Sequence, residues 1–448
     1  MRRTARNKRK VSKFSLKNLD TKNVIAFLLI CFLIFLIAFV WYKAYFVSHS
    51  QSSLDVEISK VSSIKQLENV NNFVNSSANT LNNTFNQTLE QSSNQSTEQA
   101  TTSTFTLGAI GDVMCHNTQY WDAYNSSTGE YDFSYVFDEI TKYTRTPDIL
   151  VGSLETSFAG SERGYSNYPT FNSPDSLAYS LKKIGVDVLS TAGNHCLDMG
   201  FSGLSRTLDI LDDASIPHLG TYRSEDEQKQ ILYKYVKGVK IAFINYTYGT
   251  NGIPIPSDKD FCVNLIDKNL IKNQIDLAKS QNADVIVACM HWGTEYRTTA
   301  NQEQKDLADF LFKNGVNIIL GNHPHTLEPM EKRTVTLEDG STQDGFIIYA
   351  LGNFICDQNA ENTRNSIILN LTITKQLDVK ITIDKVEYTP IHMYKNPNVS
   401  TKKFKVLDIE KSIALYEDGT DTSIGASKYN DLKVQLNKIK SIVGEEIT

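Results

Sequence analysis

From residue 105 onward, short apolar runs alternate with segments whose apolar residues recur every three or four positions. "FTLGAIGD" (105–112), "DILVGSLE" (148–155), "VDVLSTAGNH" (186–195), "VKIAFINY" (239–246), "ADVIVACMH" (283–291) and "VNIILGNH" (316–323) read as strands. "YVFDEITKY" (135–143), "DSLAYSLKKIG" (175–185), "SGLSRTLDILDDA" (202–214), "DLAKSQ" (276–281) and "KDLADFLFKNG" (305–315) read as helices lying between them. Strands that alternate with helices predict a largely parallel sheet with its ligands at the strand carboxyl ends. Later, "GFIIYALGNF" (345–354), "SIILNLTIT" (366–374) and "DVKITIDKVEYTPI" (378–391) follow one another with no helix between, which predicts a second, antiparallel sheet.

Before residue 105 the pattern is of another kind. Residues 1–23 carry Arg2, Arg3, Arg6, Lys8, Arg9, Lys10, Lys13, Lys17 and Lys22 against Asp20, and an uncharged run from Val24 to Trp41 follows. About 18 apolar residues at 1.5 Å each span a hydrocarbon core, with Trp41 and Tyr42 at the interface and the basic side in the cytoplasm. A cleaved signal peptide would have a shorter apolar region ending in small residues, whereas this one ends in "VWYKAYF". Residues 43–104 are dominated by Asn, Ser, Thr and Gln, too poor in apolar side chains to offset the entropy of ordering, and read as a disordered stalk. The expected organisation is a leader at 1–23, a transmembrane anchor at 24–42, a stalk at 43–104, an α/β domain at 105–393 and a C-terminal extension at 394–448.

Charge and cysteines narrow the classes. The net charge is −6 for all 448 residues, and subtracting the basic leader leaves roughly −14 for the outer part, which argues against a nucleic-acid surface. Cys115, Cys196, Cys262, Cys289 and Cys356 are an odd set, far apart and mostly in apolar runs, so no structural disulfide is expected.

The chemistry gathers at the strand ends. Successive strands stop on Asp112, Glu155, Asn194 with His195, His291, His323 with His325, and Asn353. Singly, each is a turn residue or an ordinary histidine. Together, at neighbouring carboxyl ends of one sheet, they would converge on a patch of carboxylates, imidazoles and amides. That mixture suits Mn, Fe or Zn better than Ca, and two such ions bridged by a carboxylate are the usual device for displacement at phosphorus.

"GDVM" (111–114), "GSLET" (152–156), "AGNHCLDMG" (192–200), "HWGTEY" (291–296), "GNHPH" (321–325) and "YALGNF" (349–354) together resemble the motifs of the CapA family of capsule and poly-gamma-glutamate biosynthesis proteins, a branch of the calcineurin-like metallophosphoesterases. The resemblance covers Phe105 to Met393. It implies an α/β fold, the four-layer αββα sandwich of calcineurin-like metallophosphoesterases, here preceded by one transmembrane helix and the disordered stalk. It assigns Asp112 and His325 to a first metal, Glu155 to the bridge, and Asn194, His291 and His323 to a second. His195 resembles the acid that protonates the leaving oxygen, with Asp198 orienting it, and Glu295 and Asn353 stand behind the ligands or face substrate. Phosphoesterases of the superfamily usually carry histidine two residues after the first aspartate; this chain has Met114, as the CapA branch does, so the first site is either short of a ligand or completed by His116.

Two functions follow from the resemblance. In one, the domain is a metal-dependent hydrolase of a phosphate ester, or of an amide, in an envelope or capsule precursor. In the other, the metal site is structural, and the protein is a non-catalytic component of a polymer synthesis or export machinery, with membrane synthase or export subunits as partners. An acidic ectodomain would repel an anionic polymer unless a metal or a local basic patch, such as one built on Arg163, Arg297 or Lys332, intervened.

Overall fold

The structure is a computed structural model that describes residues 102–337, 340–376 and 380–444. The leader, anchor and stalk expected at 1–101 lie outside the described residues, and among the described residues no helix is long and apolar enough to cross a membrane.

In chain order the strands are β1 (Ser103–Val113), β2 (Ile149–Leu154), β3 (Val188–Ser190), β4 (His218–Leu219), β5 (Leu232–Val236), β6 (Val239–Thr247), β7 (Val285–His291), β8 (Ile318–Asn322), β9 (Met330–Thr336), β10 (Thr342–Ile348), β11 (Asn353–Ile355), β12 (Asn365–Lys375), β13 (Ile381–Lys395) and β14 (Phe404–Asp408). The principal helices are α1 (Asn117–Ala123), α2 (Ser176–Lys183), α3 (Gly200–Asp213), α4 (Lys268–Ser280), α5 (Gln302–Lys313), α6 (Ile409–Glu417) and α7 (Gly425–Val443).

The strands form two large sheets. One runs β14-β13-β12-β1-β2-β3-β4, with β11 also pairing with β1, and the other runs β9-β10-β8-β7-β6-β5. Alternating side chains point to opposite faces of a strand, so each sheet has an inner and an outer apolar face. Phe105 and Leu107 of β1 meet Ile241, Val287 and Ile318 of the other sheet in one buried cluster between the sheets. Outside the first sheet, Leu150 and Leu189 pack with Leu177, Leu181 and Leu211 of α2 and α3. Outside the second, Ile286 and Ile319 pack with Ile271, Ile275 and Leu311 of α4 and α5. These three apolar layers make a four-layer helix–sheet–sheet–helix sandwich.

Three expectations need correcting. The strand ends do not belong to a single sheet: Asp112, Glu155 and Asn194 end strands of the first, whereas His291 and His323 end β7 and β8 of the second. Nor do the late strands form a sheet of their own, since β10 pairs parallel with β8 while β12 joins the first sheet antiparallel to β1 and β13 extends it antiparallel to β12. A period of two fixes which face a residue occupies and says nothing about which strand lies alongside. Finally, the helix expected over 135–143 is broken into a 3-10 turn at Ser134–Phe137 and a single α-turn at Thr141–Thr144.

The residues after 393 are built into the same body. β14 pairs with β13 over Phe404 to Asp408, and Leu432, Ile439 and Val443 of α7 are buried in the inter-sheet core. All five cysteines among the described residues are free. Burial pushes the Cys115 thiol up to about 12, so it is inert at neutral pH.

Candidate metal centre

Two parallel strand ends from each sheet meet here. In the first sheet, Asp112 lies in register with Ser153 of β2, two residues before Glu155. In the second, Asn322 lies in register with His291, so His323 is the next residue out. The sheets are joined at this point by main chain: the His323 N–H donates to Asp112 Oδ2 at 3.0 Å. Beside it the Asp112 N–H donates to Gly352 O at 2.9 Å. A Cβ on Gly111 would lie 1.9 Å from that same oxygen, so only glycine allows the "GD" and "GN" strand ends to meet.

The ligand atoms fall into two groups that share Glu155. Asp112, Glu155 and His325 make one, and Glu155, His291 and His323 the other; within each group the atoms lie within 4.8 Å of one another. Glu155 Oε1 is 3.6 Å from His291 Nε2, and Oε2 is 3.6 Å from His325 Nδ1. Asn194 Oδ1 approaches the same His291 Nε2 at 2.8 Å. Asp112 Oδ1, both Glu155 oxygens, His291 Nδ1 and His323 Nδ1 are buried and have no hydrogen-bond partner. Such orphans cost about 1–3 kcal/mol each, and carboxylates, imidazoles and an amide oxygen that converge in this way fit one or two divalent cations.

The electrostatics agree with that fit. Burial, then the charge of Glu155, raises Asp112 to about 7, and burial raises Glu155 to about 8. Burial lowers His291 to about 4, His325 to about 3 and His323 further still. Neutral imidazoles are ready ligands, whereas the carboxylates are held against ionisation, a cost that a bound cation removes. His323 and His325 have positive φ, 99° and 60°, so the backbone on either side of Pro324 is bent into a region that non-glycine residues avoid. Strain of this kind gathers at functional sites.

His195 stands beside the cluster on the turn after β3. Its Nδ1 is 2.7 Å from Asp198 Oδ2, which also accepts the Phe171 N–H at 2.6 Å. Burial disfavours the charged ring, but the Asp198 hydrogen bond and the Glu155 charge outweigh burial and hold its pKa above the ordinary value. The remaining residues expected at the site have distinct placements. Asn353 Oδ1 is 3.1 Å from His325 Nδ1 while its amide donates to Gln358 and Thr363, so it orients the imidazole. Glu295 lies exposed on the turn after β7, near enough to act on Glu155, His195 and His291. His116 does not complete the first group. The chain turns after Val113 and starts α1, and the His116 Nδ1 is taken by the Asp357 N–H at 3.1 Å.

Two further asparagines shape the centre. Asn245 Oδ1 accepts the Thr191 and Ala192 N–H groups at 3.1 and 2.7 Å, and its amide donates to Cys289 O at 2.9 Å. It thereby fastens the turn bearing Asn194 and His195 to the strand bearing His291. A buried polar residue inside "VKIAFINY" was the signal for it. Asn251 accepts from Asn194 Nδ2 at 3.1 Å and lies 3.3 Å from His195 Nε2. In "YGTNG" nothing sets it apart from an ordinary turn asparagine.

A profile described as "Bacterial capsule synthesis protein PGA_cap" matches residues 106–358, more than half of the chain. The chain belongs to this family. Similar curated relatives are the capsule biosynthesis protein CapA of Bacillus anthracis, 26% identical over 59% of this chain and 62% of that protein, and the PGA biosynthesis protein CapA of Bacillus subtilis, 30% identical over 57% and 63%. The chain thus matches less than two thirds of the length of either relative. Among solved structures, similar chains include the calcineurin-like phosphoesterase YfkN of Bacillus subtilis, 16% identical over 65% of this chain and 91% of that chain with a TM-score of 0.39. A putative 5'-nucleotidase of Staphylococcus aureus is 15% identical over 67% and 57%, with a TM-score of 0.42.

Proposed function

We propose that this PGA_cap domain is a metal-dependent phosphoesterase acting on a phosphate ester of an envelope or capsule precursor. The observation that carries the reading is Glu155, fully buried, with both oxygens unpartnered and one histidine-bearing group on either side. Asp112 and His325 would hold one divalent ion, and Asn194, His291 and His323 a second, with Glu155 shared between them. Ions held there supply Lewis acidity at a phosphoryl oxygen. The strand ends hold the phosphoryl group against His195. Asp198 keeps the imidazole turned so that Nε2 faces the cleft; as a water adds to phosphorus and the ester P–O bond breaks, a proton carried on Nε2 passes to the departing oxygen, and the proton given up by the water restores the imidazole. Asn251, 3.3 Å from that nitrogen, must yield it as substrate arrives.

The basic leader and the apolar run at 24–42 support a membrane-anchored, extracytoplasmic placement; synthase or export subunits in the same membrane would be its partners. Protease added to intact cells would then release the domain by cutting in residues 48–103, and a domain that stays protected would reject the placement.

The test of chemistry is metal analysis of the purified protein followed by hydrolysis of bis-p-nitrophenyl phosphate with Mn. Turnover lost in Asn194→Ala, and lowered on the order of 100-fold or more in Asp198→Asn with unchanged metal content, would support the enzyme. Stoichiometric metal without turnover on any envelope phosphate would instead favour the non-catalytic component.

A further inference from the structure

Three loops surround the mouth of the centre, and each carries an exposed tyrosine. Tyr168, Tyr248 and Tyr296 are 75%, 49% and 48% exposed. Tyr248 follows β6; its N–H donates to His291 O at 3.0 Å, and its ring is parallel to that of His291 and 4.5 Å from that of His323. Tyr296 follows β7; its N–H donates to Pro324 O at 2.8 Å, and its ring is 5.9 Å from that of His325. Tyr168 is close enough to act on the Tyr296 hydroxyl. Main-chain bonds therefore fix two rings, one beside each histidine of "HPH", with part of each ring turned to solvent.

The charges at the mouth point the same way. Among the described residues the ion pairs of Glu155 are with His291 and His325, none joins a lysine or arginine to Asp112 or Glu295, and Arg297 lies exposed beside Tyr296. Arg163 is tied to Met199 O and Ser202 Oγ, and Lys332 to Asp344. Glu295, exposed at the rim, adds negative charge. A polyanion entering such a mouth is repelled once its charge exceeds what the metal centre offsets. Polar groups are nevertheless at hand: Asn167 Oδ1, next to Tyr168 in the chain, has no partner, and Asn251 lies exposed beside His195.

We propose that the mouth holds a neutral sugar ring, so that the substrate is a sugar phosphate rather than an anionic polypeptide. This rests on the phosphoesterase reading for the phosphate and on the tyrosines for the ring. A pyranose presents a face of C–H groups, which suits the electron-rich face of an aromatic ring, and an edge of hydroxyls, which suits fixed amide and carboxylate oxygens. The mouth offers both kinds of surface around the phosphoryl position.

The test uses full-length protein with and without Mn, titrated with glucose 1-phosphate, adenosine 5'-monophosphate and γ-linked hexaglutamate, with binding read by calorimetry and saturation-transfer NMR. Glucose 1-phosphate should bind best, with saturation concentrated on its ring C–H protons. Tyr296→Ala and Tyr168→Ala should each weaken it by up to about tenfold, the scale of one aromatic contact, without changing Mn affinity, and Tyr296→Phe should restore most of the loss. Tighter binding of the nucleotide or of the peptide, or unchanged sugar-phosphate affinity in both alanine variants, would overturn the proposal. Sugar-phosphate binding that depends on the tyrosines but not on Mn would sink the phosphoesterase reading while leaving the ring site standing.

Discussion

The main-chain amide of His323 donates to Asp112 Oδ2 at 3.0 Å across 211 residues of sequence, joining the two sheets of the sandwich at the point where their ligands meet. This bond separates the structural role of Asp112 from its ligand role. In Asp112→Asn the amide oxygen still accepts the bond, and a buried acid is replaced by a neutral group. In Asp112→Ala the amide of His323 is left buried without a partner. Without metal, the alanine variant should be less stable than the asparagine variant by about 1–3 kcal/mol in urea unfolding, while both lose most of their Mn affinity. Equal stability of the two would mean that the bond does not join the sheets.

The carboxylates and imidazoles set opposite pH trends. Asp112 and Glu155, raised to about 7 and about 8, contribute stability that is present below their unfolded values and is lost as pH rises through the folded ones. His291 and His325, lowered to about 4 and about 3, contribute stability that is present above the unfolded histidine value and is lost as pH falls. The two trends oppose each other between about pH 4 and 6.5; above that the carboxylates titrate together with His195, whose raised pKa gives a contribution of the same sign, lost as pH rises. Metal-free protein should therefore lose stability from pH 6.5 to 8.5, and Mn should abolish the decline. Calorimetry in buffers of different ionisation enthalpy should record release of roughly one to two protons on Mn binding at pH 6.5. No release would contradict the protonated carboxylates.

His323 has φ 99°, beyond the left-handed region that histidine tolerates. Removing the imidazole costs metal affinity whatever replaces it, but only glycine also relieves the backbone. In metal-free protein His323→Gly should be at least as stable as His323→Ala, because strain of about 1–3 kcal/mol exceeds the roughly 0.5–1 kcal/mol by which glycine favours the unfolded chain. At His325, with φ 60°, the difference should be smaller. An alanine variant clearly more stable than the glycine variant at 323 would show that the bend is not strained.

The ligand-type residues were legible because each ends an apolar strand, a local pattern that survives in any topology. Their division between two sheets was not, since β2 and β7 carry the same alternation and nothing along either strand names its neighbour. His116 misled for a related reason: two residues beyond Met114 on a continuing strand would have shared a face with Asp112, but the strand stops at Val113. Asn251 and Tyr248 escaped notice because their role lies in loops brought together by the fold. The C-terminal strand β14 was missed because "FKVLD" is short, and it pairs, among the described residues, with the far end of the 15-residue β13 alone.

The two ligand groups should fill unequally. Asp112, Glu155 and His325 give one group three donors. Glu155, His291 and His323 give the other three as well, and Asn194 Oδ1, 2.8 Å from His291 Nε2, adds a fourth. Met114 stands where a further ligand to the first group would be expected, and a thioether is a poor donor to Mn or Zn. His116, with Nδ1 engaged by the Asp357 amide, does not replace it. Titration of Mn into stripped protein should thus give two steps. His323→Ala should abolish the tight step and His325→Ala mainly the weak one, while Asn353→Ala, which frees the His325 ring without removing it, should weaken the same step by roughly 10- to 100-fold. Electron paramagnetic resonance would separate a lone ion from a coupled pair at each stage. If His323→Ala and His325→Ala reduce both steps equally, the ligands are not divided as the geometry groups them, and Glu155 holds one shared site rather than joining two.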